Sequence, residues 1–129
     1  MLISGILNPK INDLLSRVRH TNTLVIADRG FPFWPDIETV DISLIDDVPT
    51  VLQALKAIRG NFKIGKAWMA QEFLQQNTPA TKASFRVALR GVPVVYQPHA
   101  DFKKAVPHAI GLIRTGDTVQ YANLILQSA

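Results

Sequence analysis

The stretch RTGDTVQYAN, Arg114 to Asn123, holds the side chains best suited to reading hydroxyl groups. Gly116 and Asp117 break the backbone, after which polar and apolar residues alternate through Gln127. Such alternation predicts a final strand from Tyr121 to Gln127. On a strand, residues two apart share a face. Tyr121, Asn123, Ile125 and Gln127 would point one way, and Ala122, Leu124, Leu126 and Ser128 the other. The second face suits a core. The first opens with a phenol and a carboxamide, which donate to and accept from hydroxyls. Two readings are open: a pocket for a small polyhydroxylated ligand, or a packed rim with Asn123 in solvent.

Proton-transfer groups are few. The chain has three histidines, His20, His99 and His108, and imidazole is the side chain that titrates nearest neutrality. His20 falls at or just past the end of a predicted helix, where the dipole favours the imidazolium and a proton donor. The same position suits a plain helix cap. His99 follows Pro98 in the first turn of a short predicted helix, where the dipole favours the neutral, accepting ring. It also reads as an ordinary exposed first-turn residue. His108, after Pro107, is read as surface. Asp28 could orient a histidine, bind sugar hydroxyls or serve a turn. Phe33 and Trp34 suit stacking on a sugar face, core packing or a subunit contact.

Other chemistries find no support. There is no G-x-G-x-x-G, P-loop, H-E-x-x-H or G-x-S-x-G pattern. The chain has no cysteine, which removes disulfides and thiolate metal sites. The net charge of +4 raises the question of nucleic acid. The basic residues are scattered, however, and no nucleic-acid-binding motif accompanies them. Lys10, Asp13 and Pro9 interrupt the N-terminal apolar run, so no signal peptide or membrane helix is expected, and the chain is read as cytoplasmic.

The elements that must position these residues alternate in type. Asn8-Pro9 predicts a helix start, with the helix running to about Arg19. Thr23–Ala27 and Thr39–Ser43 read as strands, with a proline-rich loop from Phe31 to Asp36 between them. Pro49–Arg59 reads as a helix closed by Gly60. Lys63–Ala70 reads as a strand, with a helix continuing into Gln71–Leu74 as the alternative. Pro79–Arg90 reads as a helix capped by Thr78, Pro93–Tyr96 as a strand, and Pro98–Val106 as a short helix. Ile110–Arg114 reads as the strand before the last. At 129 residues this predicts one domain, 1–129, of α/β class. Its mostly parallel sheet would be covered on both faces. Ligands in such sheets gather beyond the carboxyl ends of strands, where Asp28 falls.

Taken together, GILNPKI (Gly5–Ile11), RHTNTLVIADRGFP (Arg19–Pro32), VDISL (Val40–Leu44), PHADFKK (Pro98–Lys104) and IRTGDTVQYAN (Ile113–Asn123) resemble the D-ribose pyranase / L-fucose mutarotase family (RbsD/FucU). The middle, roughly 60–90, matches only in layout. The resemblance implies a three-layer α/β/α domain with a mostly parallel mixed sheet. It implies a cytoplasmic intramolecular isomerase that interconverts pyranose, furanose and anomeric forms of a free monosaccharide. It further implies no cofactor or metal, no nucleic-acid or membrane partner, and a homopentamer or homodecamer with the site between subunits. Carried over residue by residue, His20 matches the proton donor, Asp28 and His99 match sugar-contacting residues, and Tyr121, Ala122 and Asn123 fall on the sugar-binding segment. His99 and RTGDTVQYAN resemble the ribose branch more than the fucose branch. The chain departs from the pattern at Arg29, where a small residue is expected, and in the aromatic loop FPFWPD. A guanidinium there could favour an anionic sugar.

Overall fold

The computed structural model describes residues 1–129. Helix α1, Pro9–Arg17, begins where Asn8 accepts hydrogen bonds from the N–H groups of Lys10 and Ile11. Pro9 sits in its first turn, where a missing N–H costs nothing. The helix ends at Arg17, two residues earlier than its apolar pattern predicts. Strand β1, Thr23–Ala27, follows, and then β2, Thr39–Asp41. Helix α2, Val51–Arg59, opens with a reciprocal box between Thr50 and Gln53. Strand β3, Ile64–Ala70, passes into a separate short helix α3, Gln71–Gln76. Both readings of that region are therefore partly realised. Helix α4, Pro79–Ala88, is capped by Thr78 as predicted. Strand β4, Val94–Gln97, helix α5, His99–Ala105, strand β5, Gly111–Arg114, and strand β6, Leu124–Ser128, complete the fold.

One six-stranded sheet runs in the order β2-β5-β1-β6-β3-β4. The β1/β5, β2/β5 and β3/β4 pairs are parallel, while β6 runs antiparallel between β1 and β3. The other five strands therefore point the same way. Alternation along the strands divides the core. Leu24, Ile26, Leu124 and Leu126 face one side, packing with Leu14 of α1, Leu55 of α2, Phe73 of α3 and Phe85 of α4. Val25, Ala27, Leu112 and Ile125 face the other, under Phe31, Phe102 and Val106. Each fully buried aliphatic or aromatic side chain contributes roughly 1.5–3 kcal/mol of transfer free energy. The mixed, mostly parallel three-layer α/β architecture is the one expected. No helix is long and apolar enough to cross a membrane.

This topology decides which residues can meet. The carboxyl ends of β1, β3, β4 and β5 share one edge of the sheet with the amino end of β6. Asp28, Glu72, His99, Arg114–Asp117 and Asn123 all follow or precede those ends.

Candidate functional site

Asp28 is held by its neighbours along the sheet. Its backbone N–H donates to Asn123 Oδ1 at 2.8 Å, so β1 and the start of β6 are tied across the edge. Its own Oδ1 accepts from the Gly30 N–H at 3.0 Å, closing a turn. The Arg29 carbonyl in that turn accepts from Arg114 Nε at 3.3 Å and Nη2 at 2.9 Å, while Arg114 Nη1 donates to Asp41 Oδ2 and Ser43 Oγ. Burial pushes the Asp28 carboxyl above the usual carboxylate range, opposed in part by hydrogen bonds from Gly30, Asn123 and Phe31. A raised carboxyl is a stronger base when ionised.

The segment after β5 is packed into the opposite wall. Thr115 is fully buried, and its Oγ1 donates to the Ala27 carbonyl at 2.8 Å. Gly116 has no room for a side chain, since a Cβ would lie 2.3 Å from the Ile45 carbonyl oxygen. Asp117 is buried and accepts from the N–H groups of Val51 and Val119, both at 2.8 Å. The chain then turns at Tyr121 with φ +56°. A bulky residue there is an outlier, costing roughly 1–2 kcal/mol. Tyr121 therefore stands in a turn before β6, not on the strand as the alternation predicts. The strand begins three residues later, at Leu124.

His99 opens α5. Its N–H donates to both oxygens of Glu72, at 3.1 and 3.0 Å. Its ring meets Tyr121 edge to face, with centroids 5.1 Å apart, and also lies 6.1 Å from Phe102 and 6.2 Å from Phe31. Burial lowers the His99 pKa, helped by Lys103 and opposed by Glu72 and Asp28, so the neutral ring is favoured. Its Nδ1 is buried and has no partner within the chain.

These walls line an open cavity of about 440 Å³, bordered by Asp28, Arg29, Phe31, His99, Thr118, Gln120, Tyr121 and Asn123 among others. That volume suits a monosaccharide with bound water. The cavity brings together the Asp28 carboxyl, the His99 imidazole, the Tyr121 phenol and the Asn123 carboxamide. No group of three or more His, Asp or Glu side chains gathers as a metal site would require.

The whole chain, residues 1–129, matches the model of the RbsD / FucU transport protein family. The chain belongs to that family. It is 41% identical over 125 residues to a D-ribose pyranase of Geobacillus kaustophilus, covering 97% of this chain and 91% of the relative. A D-ribose pyranase of Geobacillus thermodenitrificans is 35% identical, covering 97% of this chain and 94% of the relative. Among solved structures, Bacillus subtilis RbsD complexed with D-ribose superposes with a TM-score of 0.91 at 28% identity, covering 100% of this chain and 98% of that one. The fucose mutarotase of Streptococcus pneumoniae, in complex with L-fucose, shares the fold at TM-score 0.80 and 19% identity, with 95% and 93% covered.

Against this RbsD/FucU frame, the residues singled out from sequence divide clearly. Asp28, His99, Tyr121 and Asn123 converge on the cavity. Asn123 is buried and spends its carbonyl on Asp28, so it shapes the site as well as facing it. Ala122 is fully buried in the main core, and its side chain does not line the cavity. His20 is exposed in a turn before β1, at the opposite edge of the sheet. The intervening five-residue strand alone spans roughly 13 Å at about 3.3 Å per residue. Because α1 stops at Arg17 with Val18 as its C-cap, His20 stands just past the helix end, in the turn that leads into β1. His108 is exposed, as expected. Arg29 lines the cavity but pairs with Asp46 at 2.6 Å. Phe33 is exposed, whereas Trp34 packs on Phe31. Glu72, Asp117, Thr118 and Gln120 were missed. Only the position of Asp117 in R-T-G-D hinted at one of them.

Proposed function

We propose that this chain catalyses the interconversion of ring forms of a free aldose, D-ribose being the favoured substrate, by acid–base ring opening. The carrying observation is the convergence of Asp28, His99, Tyr121 and Asn123 on one sugar-sized cavity in a chain 41% identical to a D-ribose pyranase. Ring opening removes a proton from the anomeric hydroxyl and delivers one to the ring oxygen. Reclosure through another hydroxyl exchanges pyranose for furanose, and reclosure on the other face exchanges anomers. Each well-placed proton-transfer group is worth ~10²- to 10⁴-fold.

The roles follow from environment. Asp28, ionised and with raised basicity, accepts the anomeric proton. Neutral His99 and the Tyr121 phenol hold hydroxyls and pass protons between them. Asn123 fixes the Asp28 backbone. The acid that protonates the ring oxygen is His20. Its own chain carries it at the far edge of the sheet, so the site is completed by His20 of an adjacent copy in a closed cytoplasmic ring of five subunits or two such rings stacked. Arg29 is already neutralised by Asp46, with Asp47 close enough to feel its charge, which favours a neutral sugar over an anionic one.

Saturation-transfer NMR on ribose, fucose and an acidic sugar tests this reading. The expected result is accelerated pyranose–furanose exchange for ribose, lost by about 10²-fold or more in His20→Ala with ribose binding largely retained. A protein that binds ribose without accelerating exchange would instead be a sugar-binding accessory, and the enzymatic reading would fail.

A further inference from the structure

The residues that face the sugar in the reading above are held by two side chains that do not face it. Glu72 stands in the first turn of α3 and takes the His99 N–H with both carboxylate oxygens. Asn77 caps the other end of the same helix. Its Nδ2 donates to the Phe73 carbonyl and to the Gln120 carbonyl, each at 2.9 Å. Gln120 immediately precedes Tyr121. Neither Glu72 nor Asn77 lines the cavity. Between them Phe73 is buried, with its ring 4.7 Å from that of Phe85, so α3 is fastened to α4 and the core. The residues it grips are also in contact with each other, as the His99 and Tyr121 rings meet edge to face at 5.1 Å.

We propose that α3 is a clamp that sets the His99–Tyr121 geometry, with Glu72 and Asn77 as the positioning residues. The two segments they hold come from unrelated parts of the fold, one following β4 and the other preceding β6. Without α3 each would rest on its own turn, and Tyr121 occupies a backbone conformation that its local sequence does not favour. Misplacement of a catalytic group by about 1 Å can cost 10²-fold in rate. This inference rests on the reading that His99 and Tyr121 contact the sugar.

Glu72 also brings charge to His99. The groups facing that ring are Glu72 from α3, Asp28 from the end of β1, Lys103 from its own helix and Tyr121 from the turn before β6. Glu72 favours the imidazolium and Lys103 opposes it. Glu72→Gln keeps an oxygen for the His99 N–H and removes the charge, whereas Glu72→Ala removes both.

The test combines two readouts on Glu72→Gln, Glu72→Ala, Asn77→Ala and Asn77→Asp. Asn77→Asp keeps the shape of the cap but loses the donor, and it serves where the alanine variant does not fold. In ribose exchange, Glu72→Ala and the Asn77 variants are expected to lose roughly tenfold to hundredfold in kcat/KM. Glu72→Gln recovers most of the loss seen in Glu72→Ala. In histidine ring NMR, Glu72→Gln moves the His99 titration to lower pH, and the Asn77 variants leave it in place but weaken the His99–Tyr121 ring-to-ring Overhauser effect. Folded variants within about twofold of wild type, with the titration and the Overhauser effect unmoved, overturn the clamp. The ring contact is read without turnover. A wild-type protein that leaves ribose exchange unaccelerated therefore overturns the function above, while the Overhauser effect still decides the clamp.

Discussion

At the scale of single residues, Asp28 trades stability for basicity. Its folded-state pKa lies above the ordinary 3.8, chiefly because of burial. For a raised group, the linked stability is fully present below the unfolded value and is lost as pH rises through the folded one. At neutral pH the ionised carboxylate therefore weighs against folding. Asp28→Asn is expected to keep or raise the thermal midpoint at pH 7 while exchange falls by at least ~10²-fold. Calorimetry and NMR exchange on the same sample check both halves. His99 has the opposite sign. Its pKa lies below 6.5, so its linked stability is present above that value and is lost as pH falls through the lower one. Acid removes the working form of both groups, the ionised Asp28 and the neutral His99, while only His99 also loses its linked stability on that side.

At the scale of elements, the glycine after β5 is where the cavity wall meets the rest of the fold. Gly116 donates its N–H to the Pro49 carbonyl, and its own carbonyl accepts from the Asp47 N–H at 2.6 Å. A methyl group there meets backbone, which cannot move aside as a side-chain tip can. Gly116→Ala should cost ~1–3 kcal/mol, seen as a lower denaturation midpoint with an unchanged slope. Much of this layer was readable in advance. Asn8, Thr50, Thr78 and the apolar run TLVIA each announce an element through local chemistry, and local chemistry survives in a sequence. The turn at Tyr121 was not legible, because alternation continues unbroken from Tyr121 to Gln127 while the ladder to β1 begins only at Leu124. The bonds from Glu72 to His99 and from Asn77 to Gln120 cross 27 and 43 residues of chain, and no local pattern encodes them. Asp28, His99, Tyr121 and Asn123 stand out in the sequence by side-chain chemistry and position, the motif resemblance assigns them to one site, and the sheet edge supplies the physical reason they meet.

At the scale of the whole molecule, the proposed site is divided between copies. His20 and Asp28 lie at opposite edges of one sheet, so one chain can lack the acid and its neighbour the base. Equal mixing of His20→Ala and Asp28→Asn chains, with subunit exchange, should restore activity to about a quarter of the sites by random pairing. Either variant alone should stay inactive. Size-exclusion and NMR exchange before and after mixing give the answer.

The antiparallel β6 has a bearing on how the protein is made. It alone joins the parallel trio β2-β5-β1 to the pair β3-β4, since no other strand bridges them. Until Leu124 to Ser128 leave the ribosome, the two half-sheets have nothing to zip them together, and Asn123 is not yet seated against Asp28. The nascent chain must wait with apolar edges uncovered and then close over a hundred-residue loop, which is slow by nature. The Asp28–Asn123 wall of the cavity thus forms only once β6 is in place, before any neighbouring copy can add its His20.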